Sequence, residues 1–282
     1  MKKILKWTGF VVAGLVVVVL LLVAYVHVAS ERELNRTFTA RETSTLVVPT
    51  DEVAVAAGRR IATHAGCMHC HGEKFNGGLV DDIPHLVRLV APNISVLLPK
   101  YTDAQLATVL RKGVKPDGHS VLFMPSEMFR HLDDQDLGRL IAYLRTVPAT
   151  TEGVKEKSEV RIIARALLAK GDIKTPALTI ETLAPASTAY DANDPVSHGR
   201  YLTMNFCSEC HGQNLEGFAP INAPPLSVVK GYSDAAFVRL MREGAALGDR
   251  SLKLMGPTSQ ARFSSFSPEE VTAIHAFLQS RS

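Results

Sequence analysis

The longest apolar stretch of the chain lies close to its first residue. From Gly9 to Ala29 there is no charged side chain, and Val and Leu dominate. A helix of this length is what a bilayer-spanning segment requires. Three lysines precede the stretch and no acidic residue comes before Glu31, so the positive-inside rule keeps the first residues in the cytoplasm and exports the rest. The pattern predicts a membrane anchor over residues 1–30, crossing the membrane with residues 9–29. A cleaved signal peptide is the alternative, although its apolar core is normally shorter.

Beyond residue 50, polar and apolar positions follow a helical period in two stretches that repeat each other at an offset of roughly 131–141 residues. The repeated landmarks, in order, are Gly58 and Gly199, Pro92 and Pro224, Tyr101 and Tyr232, Met124 and Met255, and Tyr143 and Phe277. An offset this long suits tandem domains rather than a solenoid. The shared order predicts a first domain over 51–148 and a second over 191–282, with a juxtamembrane segment over 31–50.

Helix boundaries can be read at matching places in both domains. The predicted N-cap positions are Thr102/Asp103 and Ser233/Asp234, the predicted C-terminal glycines are Gly113 and Gly244, and the last helices open at Asp133-Asp134 and Ser267-Pro268. No window shows the sustained alternation of a strand bounded by hairpin turns. The predicted fold class is all-α, two tandem domains behind an N-terminal transmembrane helix.

The linker over residues 149–190 also contains a helical stripe, formed by Val160, Ile163, Ala164, Leu167 and Leu168. A short amphipathic helix usually packs within its own chain. The stripe predicts a short helix that covers one domain, with docking between the domains or toward a partner as the alternative.

Charge says little about partners. Lys and Arg number 31 and Asp and Glu 28, a net charge of +3, and the three lysines before the anchor account for that excess. The exported part is formally neutral and has no Lys/Arg tract. We therefore expect no nucleic-acid partner.

Two pentapeptides use every cysteine in the chain. They are Cys67-Met68-His69-Cys70-His71 and Cys207-Ser208-Glu209-Cys210-His211. The C-x-x-C-H spacing is that of covalent c-type haem attachment, in which two thiols bond to the porphyrin edge and the adjacent imidazole reaches the iron. The sequence predicts two covalently bound haem c groups, with His71 and His211 as proximal iron ligands. A redox dithiol, half a zinc site or a pair of disulfides are the alternatives, and disulfides leave both histidines unexplained.

The sixth iron ligand decides whether each haem only carries electrons. Met124 precedes Pro125 between the Gly113 helix and the last helix of the first domain, and Met255 holds the equivalent place in the second. Methionine there would close the iron and raise its potential. Met128 is the rival of Met124. Histidine ligation is the remaining alternative, and its candidates are His64, His85, His119, His131, His198 and His275.

Each proximal imidazole also needs an acceptor for its other N–H, to fix the orientation of the ring. Pro92 and Pro224, which follow the two motifs, are suitable places for a carbonyl to do this. The alternative is that these prolines only turn the chain.

Taken together these residues resemble class I cytochromes c. The features shared with that family are a glycine in the first helix, C-x-x-C-H, a Pro-Asn-Ile loop, a Met-Pro loop and an aromatic residue on the last helix. The stretch from Pro92 to Arg145 is similar to the multihaem cytochrome c subunits of periplasmic alcohol and aldehyde dehydrogenases. Those subunits commonly carry three haems, whereas this chain has two motifs and an anchor.

The resemblance implies an electron carrier in the bacterial inner membrane with its haem domains in the periplasm. It would pass electrons from a dehydrogenase, or a quinol-linked donor, toward an acceptor such as a terminal oxidase. No nucleophile or acid–base constellation is recognisable, so we expect no catalytic residues. The alternative is a haem enzyme, a peroxidase or a sulfur oxidant, in which one iron is open or ligated by histidine.

Overall fold

The computed structural model describes residues 2–39, 46–250 and 252–281. The chain is mostly helical, with 57% of residues in helices. Helix α1 (Lys2–Leu34) is exposed along its apolar stretch, and its mean hydropathy reaches 3.0. In the part of the chain just given, it is the one helix long and apolar enough to cross a membrane. It can therefore anchor the chain, as predicted. Residues 40–45 of the predicted juxtamembrane segment, residue 1 of the predicted anchor and residues 251 and 282 of the second predicted domain lie outside the described residues.

The first unit is built from five helices, which are α2 (Glu52–His64), α3 (Cys67–His71), α4 (Asp103–Lys112), α5 (Ser126–Phe129) and α6 (Asp134–Arg145), with a 3-10 helix over Leu98–Lys100. The predicted helix ends are confirmed. Thr102 caps α4 by accepting the Gln105 N–H, and Gly113 ends α4 in the left-handed conformation. Asp133 caps α6 in the same manner.

A small antiparallel sheet, whose hairpin lies between α3 and α4, was not predicted. Its strands are β1 (Gly78–Ile83), β2 (Val87–Ala91) and β3 (Glu159–Val160), in that order. Neither strand alternates regularly between apolar and polar residues, and a bulge between Leu79 and Asp81 shifts the register of the hairpin. The linker supplies β3, and Arg161 beside it pairs with Asp82 at 2.6 Å.

The linker forms two helices, α7 (Ile162–Lys170) and α8 (Pro176–Thr182), where one was predicted. Helix α8 packs on α4 and α5, and its Ala177 is buried beside Val114 and Phe38. The contact of a linker helix with the first unit is thus made by α8, whereas the predicted stripe forms α7. Helix α7 packs instead on the end of α1, where Arg165 pairs with Glu31 at 2.7 Å.

The second unit repeats the first with α9 (Pro195–Phe206), α10 (Ser208–His211), α11 (Asp234–Glu243), α12 (Met255–Thr258) and α13 (Pro268–Ser280), and with 3-10 helices over Ala219–Ile221, Leu226–Gly231 and Leu247–Asp249 and a π-helical segment over Ser259–Phe263. Ser233 and Ser267 cap α11 and α13, as predicted. Gly244 ends α11 in the left-handed conformation.

In each unit the first and last helices cross at a glycine. A Cβ on Gly58 of α2 would lie 1.9 Å from the carbonyl oxygen of Arg139 on α6, and a Cβ on Gly199 of α9 would lie 1.8 Å from that of Ala273 on α13. No side chain fits in this space, so only glycine allows the backbones to approach so closely. The crossing fixes the position of the first helix, and the attachment motif follows directly after that helix.

The two units share one hydrophobic core, and polar contacts join them at two reciprocal places. The Tyr201 hydroxyl of α9 donates to the Asp136 carboxylate at the start of α6, at 2.7 Å. At the equivalent place, Arg60 of α2 pairs with Glu270 at the start of α13. The first helix of each unit therefore contacts the start of the last helix of the other.

Candidate haem-binding sites

The two C-x-x-C-H motifs form single helical turns, α3 and α10, which end in the same reverse turn. After each motif the backbone N–H of the sixth residue beyond the histidine returns to the histidine carbonyl, from Gly77 to His71 and from Gly217 to His211, both at 2.9 Å. Phe75 and Leu215 take positive φ angles of 53° and 63° at the same point of the two turns. Sequence and backbone therefore repeat together, and the two motifs have the same local structure.

Gly77 and Gly217 make this turn possible. Their φ angles are 82° and 90°, and a Cβ would lie 2.5 Å from the Ala91 carbonyl oxygen in one turn and 2.6 Å from that of Ala223 in the other. Because glycine has no Cβ, the backbone after each motif can pack closely against these carbonyl groups. Sequence reasoning missed these residues, although the repeated spacing His-Gly-x4-Gly was the signal that could have found them.

The predicted acceptors of the proximal imidazoles are confirmed. Nδ1 of His71 lies 3.1 Å from the Pro92 carbonyl oxygen, and Nδ1 of His211 lies 2.8 Å from that of Pro224. A carbonyl only accepts, so Nδ1 must carry the proton and Nε2 keeps its lone pair. Burial lowers the pKa of both histidines, and the bond to the carbonyl opposes this. Both rings therefore present Nε2 as an available metal ligand near neutral pH.

The four cysteines are described in full and all are free thiols, only partly exposed. Burial raises the pKa of Cys67 and of Cys207 to about 12, and it raises the pKa of Cys70 and Cys210 as well. The positive charge of Arg262 works against this rise at all four. A redox dithiol and a zinc site both work through thiolates, which need a lowered pKa. The environment thus favours neutral sulfur, as in a thioether to a porphyrin.

Within residues 2–39, 46–250 and 252–281, no group of three or more His, Cys, Asp or Glu side chains is arranged to hold an ion. Each motif offers two neutral thiols and one imidazole with a free Nε2. That set matches covalent haem, which needs two thioether bonds and one axial nitrogen.

The two predicted axial methionines differ in local structure. Met124 lies in an irregular stretch before α5, whereas Met255 is the first residue of α12 and not part of a loop. Both are half-buried against the shared core. The rival Met128 is fully buried in α5, and Met241 is buried on α11, so both serve as packing residues.

The six histidines considered as alternative ligands take other roles or positions. His85 lies at the tip of the hairpin with a φ of 62°. The other five contact protein partners, and these pairs are His64 with Ser265, His119 with Asp117, His131 with Gln213, His198 with Tyr190 and His275 with Asp234. His64, His131 and His275 are buried in these contacts.

Comparison with known proteins agrees with this geometry. The chain is 23% identical over 257 residues to the fructose dehydrogenase cytochrome subunit of Gluconobacter japonicus, an alignment that covers 80% of this chain and 52% of that protein. It is 26% identical over 176 residues to the cytochrome c subunit of the quinone alcohol dehydrogenase of Gluconobacter oxydans, covering 57% of this chain and 35% of the relative. The chain thus spans about half the length of the first relative and about a third of the second.

The cytochrome c family model matches the chain twice, over residues 55–148 and over residues 196–282. Each match contains one attachment motif, one carbonyl-bonded histidine and one glycine crossing, and domains of this kind imply covalently bound haem c. By these two matches, the chain belongs to the cytochrome c family.

Proposed function

We propose that the chain is a membrane-anchored dihaem cytochrome c that passes electrons from a periplasmic dehydrogenase, or a quinol-linked donor, to a downstream acceptor such as a terminal oxidase. The observation that carries this proposal is the repetition of one site geometry. Both motifs present an imidazole whose Nδ1 is bonded to a proline carbonyl and whose Nε2 is available. One site suffices to hold an electron, whereas two sites in contact form a path.

The ligands of the two irons are His71 with Met124 and His211 with Met255. Haem held by histidine and methionine supplies a one-electron couple between ferric and ferrous iron. The carbonyls of Pro92 and Pro224 orient the rings, and the glycine turns hold the following chain close to the motifs. Cys67, Cys70, Cys207 and Cys210 bind the two porphyrins. Electron transfer needs only proximity and matched potentials, so the chain needs no catalytic side chain.

For the domain organisation we keep the sequence prediction, with an anchor over 1–30, a juxtamembrane segment over 31–50, the first haem domain over 51–148, a linker over 149–190 and the second haem domain over 191–282. Helix α1 is exposed and apolar, with lysines at its start. We place it in the bacterial inner membrane with the haem domains in the periplasm. The contact of Arg165 with Glu31 and Ser30 ties the linker to the outer end of the anchor.

A dehydrogenase is the partner that the relatives favour, because both are named as cytochrome subunits of dehydrogenases. Neither the sugar nor the alcohol that those enzymes oxidise is carried over to this chain.

A second candidate is a haem enzyme, such as a peroxidase or a sulfur oxidant. Met255 favours it, because this residue begins a helix and is followed by Gly256 rather than the proline that follows Met124. An iron that Met255 does not reach would stay open to a small substrate.

Absorption and magnetic spectra of the full-length protein, matured in a host with haem-attachment machinery, separate the two candidates. We expect two haems per chain and low-spin ferric iron at both, with the long-wavelength band of methionine-to-iron ligation. Cys207→Ser with Cys210→Ser should leave one haem, and the matched pair Cys67→Ser with Cys70→Ser should leave the other. High-spin ferric iron in the second domain together with turnover of peroxide would refute the carrier. A colourless protein would refute both candidates.

A further inference from the structure

The two attachment motifs meet at the interface between the units, and the side chain of Arg262 lies between them. Arg262 belongs to the π-helical segment Ser259–Phe263 of the second unit. Its Nε donates to the His64 carbonyl oxygen at 2.8 Å, three residues before the first motif. Its Nη1 donates to the carboxylate of Glu209 at 2.8 Å, and Glu209 is part of the second motif. The guanidinium of Arg262 thus binds the backbone just before the first motif and a side chain within the second motif.

Arg262 packs closely against the residue that precedes the first motif. A Cβ on Gly66, the residue before Cys67, would lie 3.0 Å from the guanidinium carbon of Arg262. The side chain of Arg262 is only 12% exposed. Its Nη2 is buried and has no hydrogen-bond acceptor among the described residues. The guanidinium is therefore held away from solvent, with Glu209 as its ion-pair partner.

A buried charge at this position changes the reduction potential of a nearby haem iron. Ferric haem carries one more positive charge than ferrous haem, so a nearby cation disfavours the ferric state and raises the reduction potential. Charge interactions are stronger in a partly buried interface than in water because the effective dielectric constant is lower.

We propose that Arg262 is a positioning residue shared by both haem sites, which holds the two attachment motifs against each other and raises the reduction potentials of both haems. The proposal rests on the proposed function only in that each motif carries a haem. Glu209 is its counterpart, because its carboxylate moderates the charge that Arg262 places at the interface.

The surrounding contacts fix the geometry. The ring of His64 stacks on Phe266 with 4.0 Å between centroids and meets the edge of Phe206 at 5.5 Å. A second arginine, Arg60, crosses the same interface and pairs with Glu270, and its side chain is 43% exposed. Arg60 therefore offers a matched control, an interface arginine that is not placed between the motifs.

The test is a potentiometric titration of the full-length dihaem protein in detergent, followed by absorption spectroscopy. Arg262→Gln should lower both potentials, with a change of about tenfold in the reduction equilibrium constant of each haem, or about 59 mV for one electron. Arg262→Lys keeps the charge and should recover most of the shift. Glu209→Gln should shift both potentials upward, and the double variant Arg262→Gln/Glu209→Gln should lie nearer the wild type than Arg262→Gln does.

Arg60→Gln is the control and should leave both potentials within about a third of that shift, since water screens an exposed charge. Two potentials unchanged in Arg262→Gln, or a shift at one haem only, would overturn the shared role. Equal shifts in Arg60→Gln and Arg262→Gln would also overturn it, because loosening of the interface would then explain both. If Arg262→Gln fails to mature, Arg262→Lys and Glu209→Gln decide the matter with the same titration. All these outcomes require a protein with two haems per chain. The haem content is therefore measured first, and a chain with fewer than two haems would contradict the proposed function rather than the role of Arg262.

Discussion

The glycine crossing of the second unit gives a sharp prediction, because two known effects of one substitution have opposite signs. Replacing Gly199 by Ala adds a methyl group in the middle of α9. Helix propensity favours the change by about 1 kcal/mol, since alanine is the better helix former. On that ground alone, Gly199→Ala would stabilise the protein.

The structure predicts the reverse. The added Cβ would lie 1.8 Å from the Ala273 carbonyl oxygen and 2.9 Å from the Cβ of Phe277. Carbon and oxygen in contact are normally about 3.3–3.6 Å apart, so the backbone of α13 must retreat by about 1.5 Å. The obstacle is backbone and cannot rotate away. Overpacking of this kind costs about 3 kcal/mol, at the upper end of the usual range, which leaves a net loss of about 2 kcal/mol.

Unfolding of the full-length holoprotein in guanidinium chloride, followed by the circular dichroism of its helices, measures this loss. With a slope of about 3 kcal/mol per molar for a domain of this size, the midpoint of the second domain should fall by roughly 0.7 M. Gly231→Ala is the control in the same domain, because no atom lies within 4 Å of a Cβ built there. A Gly199→Ala protein as stable as the wild type, or an equal loss in Gly231→Ala, would refute the reasoning.

Three further predictions concern the ligands and the interface. Met124→Ala and Met255→Ala should each remove half of the methionine-to-iron absorption band, and an unchanged band in either variant would exclude that residue as a ligand. Burial lowers the pKa of His64 to about 3 from its ordinary value of 6.5. The unfolded chain therefore binds the proton more readily than the folded chain. The free energy of unfolding should fall between about pH 6.5 and about pH 3, by up to about 1.4 kcal/mol per pH unit. Denaturant unfolding measured across this pH range should show a smaller slope for His64→Phe. Tyr201→Phe removes the hydroxyl that donates to Asp136 and should cost about 1 kcal/mol of unfolding free energy in the same denaturant assay, whereas no loss would show the contact to be dispensable.

Features that depend on neighbouring residues were predictable. The caps at Thr102 and Ser233 and the terminal glycines Gly113 and Gly244 are where the sequence placed them, because a helix end is decided by the groups within one turn of it. The proline carbonyls were proposed from their position after the motifs. The structure confirms them in both units, although the chain between histidine and proline contains a hairpin in the first unit and a shorter connection in the second.

Features that depend on distant residues were not predictable. The strand β3 exists because the linker lies beside a hairpin more than sixty residues earlier, which no local pattern records. The helix that begins at Met255 differs from its counterpart although the two residues occupy the same place in the repeat. Arg262 is an unremarkable arginine in the sequence, and its place between the motifs follows from the packing of two units.

The sequence by itself determined the chemistry of this protein, that is, two haem-attachment motifs, their histidines, an apolar anchor and a repeated helical unit. These are encoded at short spacing, where covalent geometry and helix periodicity allow few alternatives. Only the tertiary structure decided how the two units face each other, which glycines their helices cross at, and which charge lies between the motifs. Those depend on burial and on contacts between residues far apart in the chain, and a charge has a strong effect only where folding has removed the water around it.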